Sequence, residues 1–492
     1  MRISDTATER NCDKMKHVKG MIISLFVISA IGITAFLCFK EDAANDPFIN
    51  PKPAGGKVQG IDSLEKIKIG GVDQWIYITG KDASNPILLF LHGGPGYAML
   101  PFLHENNREL EKHFTVVNWD QRGAGLSYSS KIPEESMTLK QFVSDTHELT
   151  SYLKDRFKQE KIYLMGHSFG TVLGMEVINM YPADYNSFVS IGQVVSFSEN
   201  EKLCYDFALK SAIEANNKRA VKELTKIGRP DENGNYKNDS GYDITMEWLE
   251  YFGGSIYGEE SSEVLEDYIL SLPIYKDAHN KVERGWSFSN LLFEDKEVLS
   301  LDFKNTIKNV KVPVYFLSGT HDYETPFELI EEYFNIIKAP YKEMVWFENS
   351  AHFPFYEESQ KFNEIMINKV LSDSVLSNLM GYWEGTYTTN QSKTKVTLNI
   401  QKNNEGSYWG EFSFETPGTV QGAISGSYNM VINYDFISNL ITFTGNEWID
   451  RPLGYEMVNM SGNLSGNSLE GSIYLQDSIT YAGNFSVKKK SD

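Results

Sequence analysis

Between residues 86 and 319 the chain returns repeatedly to one pattern, a short and nearly unbroken apolar run that ends in small or polar residues. The runs are PILLFLHGG, FTVVNWD, KIYLMGHS, FVSIGQVV and VPVYFLSG. A half-exposed strand alternates apolar and polar side chains, so a run that is apolar at every position belongs to a strand covered on both faces. Helical patterns lie between several of the runs, TLKQFVSDTHELTSYLKDRF (138–157) among them. Strands alternating with helices predict an α/β domain whose largely parallel sheet is sandwiched between helical layers.

Before these runs, KIKIGGVDQWIYITG (66–80) sets two alternating segments on either side of Gly70-Gly71, which predicts an antiparallel hairpin. After the fourth run the pattern lapses. Residues 198–308 are dominated by helix formers, acids and aromatics, and the stretch is too long for a plain connection. A helical cap inserted into the sheet domain is predicted there, leaving residues 61–197 and 309–375 as the two parts of the α/β core. From 379 to 492, alternating strands broken by Gly, Asn and Ser replace any helical periodicity. A separate antiparallel β domain, a small barrel or a sandwich, is expected.

The N-terminus has another character. Gly20 to Phe39 reads GMIISLFVISAIGITAFLCF, a run without a charge. At ~1.5 Å per residue it matches the ~30 Å hydrocarbon thickness of a bilayer. Arg10, Lys14, Lys16 and Lys19 precede it, so residues 1–19 are expected in the cytoplasm and 20–39 as a single-pass transmembrane anchor. Residues 40–60, rich in Pro and Gly, then form a linker to a body that faces outside the cell. The alternative is a signal segment removed on export, which would leave a secreted protein, although FKED is a poor cleavage site. Of Cys12, Cys38 and Cys204 only the last lies in the folded body, so no disulfide is expected within it. A formal net charge of −20 argues against a nucleic-acid partner, since phosphate binding needs a basic face.

The third run leads directly into Gly166-His167-Ser168-Phe169-Gly170, and helix-like TVLGMEVINM follows. A serine raised on a sharp strand-to-helix elbow explains both glycines, which let neighbouring backbone approach without a Cβ. A serine hydroxyl is a weak nucleophile and needs a histidine base oriented by a carboxylate. GTHDYETP follows the fifth run and offers Asp322, and ENSAHFPFYEE follows the strand-like MVWF and offers His352. The residue types and their order, Ser168…Asp322…His352, are those of an acyl-transfer triad with each member beyond a strand end. His167 and His321 are expected to pack rather than react. An oxyanion hole would take one backbone N–H from Phe169 and one from the loop HGGPG, with Gly94 favoured and Gly93 or Tyr97 open as alternatives.

LHGGPG (91–96), NWDQRGAGLS (118–127), GHSFG (166–170), GTHDYETP (319–326) and SAHFPFYEE (350–358) together resemble the α/β-hydrolase fold, and within it the prolyl iminopeptidase branch of serine peptidases. The resemblance spans roughly residues 60–375. It implies hydrolysis of short peptides with an N-terminal proline, or of related amides and esters. One departure is the elbow, which in that branch usually reads Gly-Gly-Ser-Trp-Gly; the histidine form here is common in related esterases and lipases. The resemblance also implies that acids of the cap meet the substrate's free amino group, and Glu199, Glu201 and Asp206 at the cap entrance are the candidates, with solvated surface charge as the alternative for each. Asp120 and Arg122 in WDQRG are expected to pair with each other or to shape their loop.

In the C-terminal segment Tyr382, Trp383, Tyr387, Tyr408, Trp409 and Trp448 fit either a β-sheet core or a face for a cell-surface ligand such as a sugar, lipid or wall component. GYWEGTY looks generically like small lipocalin-type domains. The nine histidines show no H-x-x-x-H or cysteine-paired spacing, so neither a metal nor a cofactor is expected. The leading reading is a membrane-anchored serine hydrolase, most simply an aminopeptidase. A carboxylesterase or lipase-like enzyme with the same triad is the second reading, and a non-catalytic binding protein on a hydrolase scaffold is the third.

Overall fold

The computed structural model describes residues 59–490, apart from 239, 389–392, 404–406, 420–421, 436–439 and 479. No helix among the described residues is long and apolar enough to cross a membrane. The apolar segment 20–39 lies outside the described residues, as do 1–19 and the linker up to residue 58.

Eight strands form one sheet in the order β1-β2-β4-β3-β5-β6-β7-β8. They are β1 (Ile61–Ile69), β2 (Val72–Gly80), β3 (Ile87–Leu91), β4 (Thr115–Asp120), β5 (Ile162–His167), β6 (Tyr185–Ile191), β7 (Val314–Gly319) and β8 (Lys342–Phe347). β1 and β2 form the hairpin around Gly70-Gly71, in register from Ile61↔Gly80 to Ile69↔Val72. β2 joins β4 antiparallel, and every pairing from β4 to β8 is parallel.

The unbroken apolar runs have a two-sided explanation. In β3, Leu89 and Leu91 enter one core while Leu88 and Phe90 enter the other. β5 and β7 divide in the same way, Leu164 and Phe316 against Met165 and Leu317. Successive side chains point to opposite faces, so a strand with a core on each side has no position left for a polar residue.

Between β6 and β7 the chain forms a series of helices, including Phe197–Glu214, Lys218–Ile227, Gly241–Tyr251, Glu263–Ser271 and His279–Ser289. Part of this insertion has its own small core, with Tyr205, Ala212, Leu224 and Trp248 buried together. Tyr275 ties it to the sheet. Its hydroxyl donates to Asp120 Oδ1 at 2.6 Å and accepts from the Leu100 N–H at 2.8 Å. The expected Asp120–Arg122 pair does not form. Arg122 instead pairs with Asp145 on the helix Leu139–Phe157 at 2.8 Å, both fully buried, and also donates to the Gly70 carbonyl. Asp120 shapes its own loop by accepting from the Leu126 N–H at 2.7 Å.

The C-terminal strands β9 (Gly381–Thr388) to β16 (Tyr481–Lys489) close into an antiparallel barrel, which decides between barrel and sandwich. Trp383 and Tyr408 are buried in its interior beside Phe412, Tyr428 and Phe443. Tyr387 and Trp448 pack against that core, Trp409 is half-buried and Tyr382 is exposed. Most of the singled-out aromatics therefore serve packing.

Candidate active site

β5 ends at His167 and a helix begins at Phe169, so Ser168 must turn the chain by itself. It does so at φ 53°, ψ −124°, a sparsely populated conformation for a residue with a Cβ. The surroundings hold it there. Its N–H donates to the Ile191 carbonyl at 2.9 Å, and its carbonyl accepts from Thr171 Oγ1 at 2.7 Å. A Cβ on Gly166 would stand 2.5 Å from the Gly170 oxygen, and one on Gly170 would stand 2.1 Å from the Leu91 oxygen. Strand, elbow and helix are in backbone contact, which is the steric need the two glycines meet.

Asp322 lies just beyond β7 and His352 beyond β8. His352 Nδ1 donates to Asp322 Oδ2 at 2.9 Å, with both side chains buried. Thr325 fixes the carboxylate from the other side through its N–H and its hydroxyl, each at 2.8 Å. The His352 N–H donates to the Ser255 carbonyl at 2.9 Å, and the His352 carbonyl accepts from His167 Nε2 at 2.9 Å. His167 also packs on Phe353 and Phe355, and burial drives its imidazole well below the usual range, so it stays neutral. His321 stacks at an angle on Tyr257.

The end of β6 joins the two halves of the site. Ile191 receives the Ser168 N–H, and a Cβ on the next residue, Gly192, would stand 2.9 Å from His352 Cε1. The Ser168 hydroxyl and His352 Nε2 are not hydrogen-bonded to each other; Nε2 is buried without a hydrogen-bond partner. Burial disfavours the imidazolium of His352, but the carboxylates of Asp322 and Glu324 outweigh it and hold the group up at about 9.

Ser168, Phe169 and Gly94 line one cavity of about 920 Å³. Phe169 is the first helical residue, so its N–H has no intrahelical acceptor and lies at the positive end of the helix dipole. The loop after β3 passes close by, since a Cβ on Gly93 would stand 2.8 Å from the Ser168 Cβ.

The α/β hydrolase fold pattern matches residues 86–222. Over 303 residues the chain is 35% identical to the probable aminopeptidase YbaC of Bacillus subtilis (strain 168), covering 61% of this chain and 93% of that protein. The chain belongs to the α/β-hydrolase family. It is also 26% identical over 296 residues to the proline iminopeptidase of Clostridium botulinum, covering 58% of this chain and 89% of that one. A solved proline iminopeptidase from Mycobacterium smegmatis aligns at 18% identity over 62% of this chain and 96% of its own, with a TM-score of 0.46.

In this α/β hydrolase the three acids singled out at the cap entrance have different fates. Glu199 pairs with Lys304 at 2.6 Å, and Asp206 forms an exposed pair with Arg229 at 2.7 Å. Neither lines the cavity, and their partners account for them. Glu201 does line it, and burial pushes its carboxyl up to about 7 against a stabilising contact from Tyr236. Asp302 lines the cavity as well, and the acid beside the base that sequence reasoning missed is Glu324, whose Oε1 stands 3.7 Å from His352 Nε2. Its signal was within reach, two residues after Asp322 in DYETP. Apolar walls come from Val194, Phe197, Phe293 and Leu301.

Proposed function

We propose that this α/β hydrolase works through an acyl-enzyme on Ser168 and that its substrates are short peptides with a free N-terminus, proline or a similar residue leading. Ser168 Oγ attacks the carbonyl carbon as its proton passes to His352 Nε2, and the same proton goes to the amine that leaves as the C–N bond breaks. Asp322, on Nδ1, fixes the tautomer and supports the imidazolium. The N–H groups of Phe169 and Gly94 receive the charge that develops on the carbonyl oxygen. Water then enters by the same route in reverse and releases the amino acid.

The observation that carries this reading is a strained elbow serine opening on a cavity with three carboxylates on its wall, Glu201, Asp302 and Glu324. An α-ammonium seated against that wall would satisfy charges that a substrate without one leaves unpaired. Relatives named as a probable aminopeptidase and a proline iminopeptidase point the same way. We further propose that the apolar segment 20–39 anchors the enzyme with its catalytic body outside the cell, which protease accessibility of that body on intact cells tests.

Labelling with a fluorophosphonate probe is expected in the wild type and absent in Ser168→Ala. Release from a prolyl naphthylamide is expected to exceed release from a nitrophenyl ester. Turnover of short esters with the amide untouched would replace the aminopeptidase by the carboxylesterase reading, and an unlabelled wild type would leave only a scaffold.

A further inference from the structure

We propose that Glu324 is a positioning residue that competes with Ser168 for the Nε2 proton of His352, so that the free enzyme rests with its imidazole held protonated by carboxylates on both ring nitrogens. This rests on the acyl-enzyme reading above. The chemistry of the ring is the starting point. With Nδ1–H committed to Asp322 at 2.9 Å, a neutral His352 presents a lone pair at Nε2, and that nitrogen is buried without a hydrogen-bond partner. The Glu324 Oε1 atom stands 3.7 Å away. A lone pair facing a carboxylate is repulsive, whereas an N–H facing one is attractive, so Glu324 favours the imidazolium. An imidazolium cannot take the serine proton.

Glu324 is fixed in this position. Its Oε2 accepts from Ser255 Oγ at 2.7 Å, and the Ser255 carbonyl accepts the His352 N–H at 2.9 Å, so acid and base share one anchor on the inserted segment. Asn200 Nδ2 donates to the Glu324 carbonyl at 2.9 Å from the first helix of that segment. The titratable groups that act on the pair are acidic or neutral. Asp322 and Glu357 act on His352, with the neutral His167 ring 4.5 Å away, while Asp322, Glu250 and Glu266 act on Glu324. Tyr97 and Cys204, also within its field, are uncharged, since burial pushes both far up, and the phenol of the half-exposed Tyr242 is raised as well. During turnover Glu324 gains no net proton. The serine proton still travels to Nε2 and on to the leaving group, and Glu324 sets only the pH at which Nε2 is free to receive it.

The test is the pH profile of kcat/KM for an uncharged nitrophenyl ester, measured on the full chain from about pH 5 to about pH 10. Glu324→Gln is expected to move the acidic limb down by about one unit or more, which raises kcat/KM below both limbs about tenfold per unit. Glu324→Asp, which keeps the charge, is expected to hold its limb above that of the glutamine variant. A merely structural role changes the height of the profile without moving the limb. The inference is overturned by a Glu324→Gln limb that coincides with the wild type, or by glutamine and aspartate variants that shift equally. If Glu324→Gln does not fold, Glu324→Ala, which also removes the charge, carries the same expectation and the same overturning result. Fluorophosphonate labelling separates the two levels: an unlabelled wild type removes the acyl-enzyme reading and this inference with it, whereas labelling with an unmoved limb removes the inference alone.

Discussion

Asp322 is the charged acceptor of His352 Nδ1–H in a buried site, at 2.9 Å, with the neutral Thr325 Oγ1 farther off at 3.3 Å. Asp322→Asn is expected to keep the fold, favour the wrong tautomer and lower kcat by about 10⁴-fold, read against thermal unfolding as a check on structure. The same contact makes His352 a stability probe. Its folded-state value of about 9 exceeds the ordinary 6.5, so the folded state binds this proton more tightly than the unfolded chain does. The contribution is fully present below about pH 6.5, fades as pH rises towards about 9, and is on the order of 3 kcal/mol. Denaturant titrations across that window are expected to show the loss in the wild type and a smaller one in Asp322→Asn. At this scale the sequence was legible where local chemistry decided position. Asp322 and His352 each sit a few residues beyond a strand end, and the chain order brings those ends side by side. Glu324 stood within reach in DYETP, but its contact with His352 was not legible, because it depends on Ser255, a residue far away in sequence. Arg122 was misread for the same reason. Its motif suggested a partner two residues away, while the observed one is 23 residues along the chain.

Among elements, the buried Arg122–Asp145 pair is a clamp on three of them. Arg122 follows β4, Asp145 belongs to the helix Leu139–Phe157, and the Gly70 carbonyl that Arg122 also binds lies in the β1–β2 turn. Gln74 and Gln141 donate to the same carboxylate. Arg122→Met leaves that carboxylate buried without its countercharge, and about 3–5 kcal/mol of destabilisation is expected in chemical denaturation. The elbow gives a second expectation. A methyl at Gly170 would stand 2.1 Å from the Leu91 oxygen, so Gly170→Ala must push helix and β3 apart. Overpacking of this kind costs about 1–3 kcal/mol, and a lowered Tm with slowed probe labelling is the expected readout. The existence of these elements was open to reading, since a strand with a core on each face has to be apolar throughout. The clamp between them was not, because periodicity carries no information about which helix a buried arginine will meet.

For the whole molecule, the barrel and the hydrolase core meet at Asp373 on the helix Ser372–Ser377. Asp373 Oδ2 accepts from the Tyr315 hydroxyl of β7 at 3.0 Å, and Oδ1 faces Lys402 Nζ of the barrel at 3.4 Å. The Asp373 carbonyl accepts from the barrel's Tyr408 hydroxyl at 3.2 Å. The Lys402 ammonium sits over the Tyr341 ring of the hydrolase side at 4.0 Å and the Tyr408 ring at 4.8 Å. Val375 and Tyr434 pack against the cores of both parts. A charged group with partners on both sides is a joint whose loss each side feels. Asp373→Ala removes two side-chain contacts, worth about 1.5–3 kcal/mol, and leaves Lys402 only its ring contacts. Calorimetry is therefore expected to show the barrel unfolding ahead of the hydrolase core in the variant. Ester turnover should survive, because Tyr315 stands near the amino end of β7 while Asp322 follows the carboxyl end. The four steps of strand from Tyr315 to Gly319 span about 13 Å. If turnover instead fell in step with barrel unfolding, the barrel would be a brace for the strand that carries Asp322, and its closed, packed interior would then serve catalysis rather than recognition.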